Sequence, residues 1–321
     1  MPGQLLSAAE RDRANRFPNA ITAEDLITFF TLSEEDRQQI PGHAGPHARL
    51  GFGLERCALR VMGFVPEDLT SAPPDAVTFV ARQLAVEPGV LGRYTGSAHT
   101  RMHHRQTIQA YLGYRRTRRA DMERLAAWLL ERAREHDSPT LLYALACEPL
   151  QRERLVRPGV TQLERLVAET RQSAQAETFR RLGPILTEDC RHLLDTLLEP
   201  DPTRGMTPLA WLRRPAISTS PRAILGNLEK LAFLRAPGVE HWPLDALNPN
   251  RLKFLAHLAR KSSAHALQRA PAARRYPILV AFLAQCLADV TDEVIEMFDR
   301  CRAEAYARAG RDLEAFRAAM A

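Results

Sequence analysis

Arginine and glutamine side chains recur at helical spacing between residues 99 and 119 of this 321-residue sequence. Arg101, Arg105 and Gln109 follow one another at intervals of four, so in a helix they lie along one face. Arginine and glutamine hydrogen-bond the edges of guanine and adenine in the major groove of DNA. The spacing therefore predicts a helix whose outer face reads base pairs, preceded by a short turn and another helix at 75–86.

The end of this segment is strongly basic. Its four arginines follow Gly113, where the helix is expected to stop, and they suit phosphate contacts. They are Arg115, Arg116, Arg118 and Arg119. No Asp or Glu occurs in the window 88–120, although exposed helices normally carry compensating acids at i±4. The missing acids favour a polyanionic partner over a merely solvated surface.

The other face of the same helix is expected to pack inward. Its apolar members are Ile108, Tyr111 and Leu112, joined by Met102 or His104. His104 also belongs to the candidate DNA-binding set because it lies within the basic segment. His99 and His103 have the i,i+4 spacing of metal ligands, but no third ligand is evident, so an ordinary surface pair is favoured. Neither a metal nor another cofactor is expected.

A second basic region follows later in the chain. Residues 201–280 carry a net charge of +9 and residues 51–120 carry +5, while the chain as a whole carries +6. A helix at 249–261 turns its leucines inward and leaves four basic residues outside, and these are Arg251, Lys253, Arg260 and Lys261. They predict a second DNA-contacting module, or a linker that lies along the DNA backbone.

Hydrophobic periodicity is helical nearly throughout, so the predicted fold class is all-α, with strands at most incidental. Several small helix-turn-helix-like modules are expected to form a multi-module array. Helices are predicted at 22–30, 33–40, 49–64, 74–86, 120–136, 161–171, 178–198, 221–235 and 249–261. Residues 275–309 form either one long helix or a hairpin that turns near Asp289–Thr291.

Proline- and glycine-rich stretches near residue 157 and at 199–208 suggest the domain boundaries. Four parts are predicted in chain order. They are an N-terminal DNA-binding unit (1–156), linking helices (157–204), a second basic unit (205–275) and a terminal helical segment (276–321).

Several classes of protein are excluded by what the sequence lacks. It has no signal peptide and no apolar run long enough to cross a membrane. Five scattered cysteines without a CxxC pair indicate neither a disulfide framework nor a zinc finger, so the expected compartment is the cytoplasm. No phosphate-binding loop or catalytic motif occurs, and the acids are assigned to helix exteriors. No catalytic residue is predicted.

Long stretches of the sequence resemble the start of transposases of the Tn-three family of replicative bacterial transposons. Among them are FFTLSEEDRQQI (29–40), HARLGFGLERCALRVMGFVPED (47–68), ERLVRPGVTQLERLVAE (153–169), SPRAILGNLEKLAFLR (220–235) and RRYPILVAFLAQCLADVTDEVIEMFDR (274–300). The segment at 79–115, which includes the arginine helix, takes part in the resemblance. The likeness follows the same order through almost the whole chain.

The resemblance implies a tandem array of helical modules that bind double-stranded DNA at terminal inverted repeats, in contact with the bacterial nucleoid. Transposases of this family are about three times longer, and their RNase H-like catalytic domain with Asp-Asp-Glu metal ligands lies beyond the matched region. This chain is therefore not expected to be an enzyme by itself. The alternative is a helical protein-interaction scaffold with non-specific affinity for nucleic acid, and self-association is left open.

Overall fold

The computed structural model describes residues 5–40, 45–94, 98–216, 218 and 220–320, except the side chains of 98 and 99. The described chain is all-α, as predicted. Its only strands are the two-residue β1 (Arg115–Arg116) and β2 (Leu155–Val156), which pair in parallel. No helix within these ranges is both long and apolar enough to span a membrane.

The chain divides into two compact units. The first contains Met1–Ala133 and Ser138–Arg171, and the second contains Arg134–Asp137 and Gln172–Ala321. The sequence suggested boundaries near 157 and at 199–208, whereas these positions lie inside the first and second unit respectively. Residues 276–290 do not form a separate terminal segment, because they supply much of the core of the second unit.

The described residues of the first unit form eight α-helices. They are α1 (Ala8–Asn15), α2 (Ala23–Phe30), α3 (Glu34–Gln38), α4 (Pro46–Met62), α5 (Pro74–Gln83), α6 (Ala98–Leu112), α7 (Arg119–Ala133) and α8 (Pro139–Arg152). Helix α9 (Val160–Arg181) contributes its first part to this unit and its second part to the other. Short 3-10 turns occur at Leu69–Ser71 and Pro88–Arg93.

Helix α4 is the centre of the first unit. Leu50, Leu54, Cys57 and Ala58 lie along one stripe of this helix and are buried, and Val61 packs against the same core. The apolar stripe of α5 and its C-cap, from Val77 to Leu84, lies in the same hydrophobic cluster. Burial of a Val or Leu side chain is worth about 1.5–3 kcal/mol, so these two stripes fix how α4 and α5 pack together.

Side chains cap the starts of α2 and α3. Thr22 Oγ1 accepts a hydrogen bond from the Asp25 amide at 3.1 Å. Ser33 and Asp36 form a reciprocal capping box, in which the Ser33 amide donates to Asp36 Oδ2 at 2.7 Å. These caps satisfy amides that have no partner inside the helix.

In the part of the second unit that the structure describes, six further α-helices occur. They are α10 (Glu188–Thr196), α11 (Pro208–Leu212), α12 (Pro221–Arg235), α13 (Pro249–Lys261), α14 (Ala264–Gln268) and α15 (Ala272–Met320), with a 3-10 turn at Val239–His241. The apolar first half of α15 packs against α12 and α13. Helix α15 is continuous through Asp289–Thr291, so the long-helix alternative is the one that the structure adopts.

The break between α9 and α10 lies at a different place from the one predicted. The sequence suggested separate helices at 161–171 and 178–198, whereas α9 runs without a break to Arg181 and α10 begins only at Glu188. The interruption falls at Gly183 and Pro184, because proline cannot continue a helix and the residue before it avoids the helical region.

Two helical glycines give a matched test of packing. A Cβ added at Gly51 would lie 2.4 Å from the ring of Tyr94, whereas one added at Gly226 would meet nothing within 4 Å. We expect Gly51→Ala to lower the free energy of unfolding by about 1–3 kcal/mol. Gly226→Ala should raise it by up to about 1 kcal/mol, because alanine is the better helix former. Urea denaturation of both variants measures the difference, and stabilisation by Gly51→Ala would contradict the close packing of Tyr94.

Candidate nucleic-acid interface

Helix α6 is held in the first unit by its apolar face and by its C-terminal end. Ile108 is buried against Phe52 and Leu59 of α4. The helix ends at Gly113, as predicted, where φ is +70°. Arg154 Nη1 donates to the free carbonyl of Leu112 at 3.1 Å, and β1 then pairs with β2. The basic segment after the helix is therefore fixed to residues 154–156.

The prediction that Ile108 packs on the inward face of α6 is confirmed. Of the two residues predicted to join it, His104 is buried and Met102 is not. His104 is buried, and its Nδ1 lies 2.8 Å from the Tyr94 hydroxyl, whereas Met102 is half exposed. Burial and the charge of His103 lower the pKa of His104. His104 thus lies where it cannot reach a nucleic acid, and its assignment to the DNA-binding set is corrected.

The predicted Arg101, Arg105 and Gln109 are half-buried and do not form a fully exposed stripe. They line one groove of about 540 Å³. The groove is completed by Glu67, Met102, Gln106 and Arg116. Arg116 lies on β1, so the structure brings one of the predicted phosphate-binding arginines to the predicted base-reading residues. The side chain of His99 lies outside the described residues.

Arg105 is anchored on the floor of this groove by an acid that the sequence did not single out. Its Nε lies 3.5 Å from Oε1 of Glu55, which is completely buried on α4. Its Nη2 donates to the Pro66 carbonyl at 3.2 Å. Two of the three guanidinium nitrogens therefore face the protein.

Glu55 has an unusual protonation equilibrium. Burial raises its pKa to about 7, although the charges of Arg105 and Arg101 lower it. Neither carboxylate oxygen has a hydrogen-bond partner of good geometry among the residues that the structure describes. The nearby Tyr94 has a raised pKa because of its own burial and the Glu55 charge. Glu55 thus changes charge near neutral pH, directly below Arg105.

The four arginines predicted to hold phosphates fall into two classes. Arg115 binds both oxygens of Asp121, at 2.6 and 2.8 Å, and this contact is the main cause of the lowered pKa of Asp121. Arg119 donates to Glu123 at 2.8 Å in an exposed i,i+4 pair. Arg116 and Arg118 are exposed and make no ion pair within the described residues. These two side chains are the ones available to an external anion.

The four basic residues predicted to contact DNA from α13 also differ in their burial and ion pairs. Arg251 is only 2% exposed, lies 3.4 Å from Asp137 and stacks near Phe254, so its assignment to the DNA-binding set is corrected. Its position next to the apolar face of α13 places it in the core of the second unit. Arg260 pairs with Asp289 of α15. Lys253 and Lys261 remain exposed.

The acids are not confined to helix exteriors, contrary to the sequence analysis. Asp36, Glu55, Asp121 and Glu164 are all buried in the first unit. Each lies against arginine, as in the pairs of Asp36 with Arg56 and of Glu164 with Arg11 at 2.9 Å. A buried carboxylate needs such a partner, which a sequence pattern does not reveal.

Among the described residues, no three metal-binding side chains converge.

A second groove, of about 480 Å³, adjoins the first and shares Glu67, Arg105 and Gln109 with it. It is also lined by Arg16 and Arg157, which the sequence analysis did not include. The Arg157 guanidinium stacks 3.5 Å from the ring centre of Phe64, and burial lowers its pKa. The stacking makes Arg157 part of the groove wall.

The pKa of Glu55 gives a prediction for stability. In the folded chain it is about 7, against 4.5 for an ordinary glutamate, so the folded form keeps a proton that the unfolded form loses. The resulting stabilisation is complete below pH 4.5 and is lost by about pH 7. At about 1.4 kcal/mol per pKa unit this amounts to about 3 kcal/mol.

Glu55→Gln does not titrate, so its stability relative to the unmodified chain should rise by that amount between pH 4.5 and 7 and level off above. Urea denaturation at intervals of one pH unit measures the difference. A difference that is constant over the whole range would contradict a proton on buried Glu55.

A known protein family matches the part of the chain that carries the two grooves. Residues 5–170, more than half of the chain, match the family described as "Domain of unknown function (DUF4158)". This range includes the whole of α6, both grooves and the basic segment of β1.

Curated relatives match nearly the whole chain. It is 29% identical over 301 residues to the transposase for transposon Tn501 of Pseudomonas aeruginosa, with 94% of this chain and 30% of the relative covered. The transposase for transposon Tn1546 of Enterococcus faecium is 26% identical, with 92% and 30% covered. The transposase for transposon gamma-delta of Escherichia coli K12 is 27% identical, with 93% and 30% covered.

The chain thus spans about 30% of the length of these relatives, and the match falls in their N-terminal part. The predicted resemblance to Tn-three family transposases is confirmed over more than nine-tenths of the chain. By the match over residues 5–170, the chain belongs to the DUF4158 family.

Proposed function

We propose that this chain binds double-stranded DNA at the terminal inverted repeats of a transposon, as the end-recognition part of a transposase. The observation that carries the proposal is the groove in which Arg101, Arg105 and Gln109 of α6 meet Arg116 of β1. The similarity to transposases along nearly the whole chain supports the same role. Catalysis of strand transfer is assigned to regions of the relatives that this chain does not match.

Base reading is assigned to Arg101 and Gln109. Both line the groove, and their side-chain types match guanine and adenine edges. Arg105 receives a different role from the one its spacing suggested. With Nε and Nη2 directed at Glu55 and Pro66, it cannot offer two nitrogens to a base edge without leaving its anchor. We therefore assign Arg105 to orienting the groove floor and contributing positive potential.

Phosphate binding is assigned first to Arg116 and Arg118, which are exposed and free of ion pairs among the described residues. Arg115 and Arg119 are held by Asp121 and Glu123, so their charge is partly neutralised before DNA arrives. In the second unit, Lys253 and Lys261 keep the role predicted for them, and Arg260 must first leave Asp289.

Fluorescence anisotropy tests the proposal. The purified chain is titrated against a duplex that carries the repeat flanking its own gene and against a scrambled duplex, at several salt concentrations. A preference of about 10³-fold or more with a steep salt slope supports end recognition. Equal, salt-sensitive binding to both duplexes would favour the alternative of a scaffold with non-specific affinity. No binding to either duplex would overturn the proposal.

Removal of a phosphate contact should weaken binding to all sequences. For Arg116→Gln or Arg118→Gln we expect equal losses on both duplexes and a decrease of about 1 in the slope of log affinity against log salt. Arg82→Gln is the matched control, because Arg82 is an exposed arginine of α5 that lines neither groove. A loss confined to the repeat duplex would contradict the phosphate assignment.

Removal of a base contact should instead reduce discrimination. Gln109→Ala should weaken binding to the repeat by about 1–3 kcal/mol, relax preference at one base pair and leave the salt slope unchanged. Gln162→Ala, at an exposed position of α9, is the control. The measurement is competition between duplexes that differ at single base pairs. Equal losses on repeat and scrambled DNA would remove Gln109 from the base-reading set.

A further inference from the structure

The second groove, of about 480 Å³, contains in its wall an arginine that no acid of the described chain neutralises. Arg157 is half-buried, and its guanidinium stacks 3.5 Å from the ring centre of Phe64. Its Nε is shut off from solvent and has no hydrogen-bond partner among the described residues. Withdrawal of a charge from water is costly unless an opposite charge compensates it. The position of Arg157 in a groove wall therefore points to an anion that enters the groove.

The missing acid distinguishes Arg157 from other arginines of the first unit. Several of these lie against a buried carboxylate, among them Arg11, Arg56, Arg105 and Arg115. The titratable groups that act on Arg157 are instead Tyr143 and Cys147. Burial raises the pKa of Tyr143 to about 12 and also raises the pKa of the Cys147 thiol, so both groups are uncharged near neutral pH.

The backbone and the side chain of Arg157 are both held in place. The Arg157 amide donates to the carbonyl of Gly63, the C-cap of α4, at 2.8 Å. The Phe64 ring supports the guanidinium, so little further freedom is lost when a ligand binds. Gly159, which directly precedes the 22-residue helix α9, also lines the groove, and the positive end of the helix dipole adds to the potential there.

The acids of the second groove stay at its edge. Glu67 and Asp68 are exposed, and neither is among the groups that act on Arg157. Asp68 Oδ1 accepts hydrogen bonds from the amide and the hydroxyl of Thr70, at 2.9 and 2.6 Å. These two carboxylates therefore leave the charge of Arg157 available to a ligand.

The second groove is continuous with the first. Arg105 and Gln109 line both grooves. Glu55 and the Pro66 carbonyl engage Nε and Nη2 of Arg105, so its Nη1 still contributes positive potential to the shared wall. This continuity favours an anion that belongs to a long polyanion over a small free one.

We propose that Arg157 binds a backbone phosphate of the same DNA duplex that α6 contacts, so that the DNA extends across both grooves. This contact rests on the proposed function, because it requires DNA in the first groove. A phosphate held at Arg157 would fix the register in which Gln109 meets a base edge, since phosphate contacts position a protein on its duplex.

Arg157→Met tests the contact, because methionine keeps an unbranched side chain against Phe64 and removes the charge. We expect about tenfold weaker binding to both the repeat and the scrambled duplex, with a decrease of about 1 in the slope of log affinity against log salt. The urea midpoint should be unchanged or higher, since an uncompensated cation leaves a half-buried position. If Arg157 only stabilised the fold, the midpoint would fall and the salt slope would not change.

Arg132→Met is the matched control. Arg132 is also a half-buried arginine of the first unit, stacks 3.9 Å from the ring centre of Trp128 and lines neither groove. Its loss should leave both the affinity for DNA and the salt slope unchanged.

Neutral phosphate analogues identify the ligand. Methylphosphonate replaces one backbone phosphate at a time in the repeat duplex. One such position should weaken binding of the unmodified chain and have no further effect on Arg157→Met, as expected for two groups in direct contact. Arg116→Gln should remain sensitive to that position.

The possible results separate this contact from the proposed function. If Arg157→Met responds to every position that affects the unmodified chain, the contact is overturned and the proposed function stands. The contact is likewise overturned if no position is coupled to Arg157, while inorganic phosphate raises the urea midpoint of the unmodified chain but not of Arg157→Met. That result would assign a free anion to the second groove. Failure of the unmodified chain to bind either duplex would overturn the proposed function and this contact with it.

Discussion

The pairing of arginine with buried carboxylates decides how much positive charge the first unit can present. Asp36, Glu55, Asp121 and Glu164 are all taken out of water, and each lies beside at least one arginine. Loss of such a partner leaves an ionised carboxylate buried without compensation, at a cost of about 3–5 kcal/mol, unless the group takes up a proton, as the raised pKa of Glu55 allows. The same guanidinium groups therefore hold α3, α4, α7 and α9 in place.

This internal use of arginine changes the meaning of the basic segment. Along the sequence, residues 88–120 contain no acid, and the charge looks uncompensated. In the fold, Glu55 reaches Arg105 from α4, and Asp121 reaches Arg115 from the next helix. What remains for an external anion is concentrated at Arg116 and Arg118. The groove thus combines a partly neutralised floor at Arg105 with one exposed cation, Arg116, while Arg118 lies exposed close by in sequence.

The sequence predicted those features that depend on local periodicity. The helices and the stop of α6 at Gly113 each follow from neighbours within a few turns. It did not predict the burial of His104, Glu55 and Arg251, because each of these polar side chains depends on a partner distant in the sequence. The groove itself could not be predicted, since Arg116 joins α6 only through the pairing of β1 with β2.

The pairing of β1 with β2 can form only after the ribosome has synthesised residues 155–156. The carbonyl at the end of α6 is capped by Arg154, 42 residues later in the chain, and the Arg157 amide then bonds to Gly63 at 2.8 Å. At a translation rate of about 5–20 residues per second, the ribosome needs about 2–8 s to progress from residue 115 to residue 157. The nascent chain consequently displays its arginine cluster before it can build the groove around it. Early encounters of that cluster with nucleic acid would be governed by charge alone.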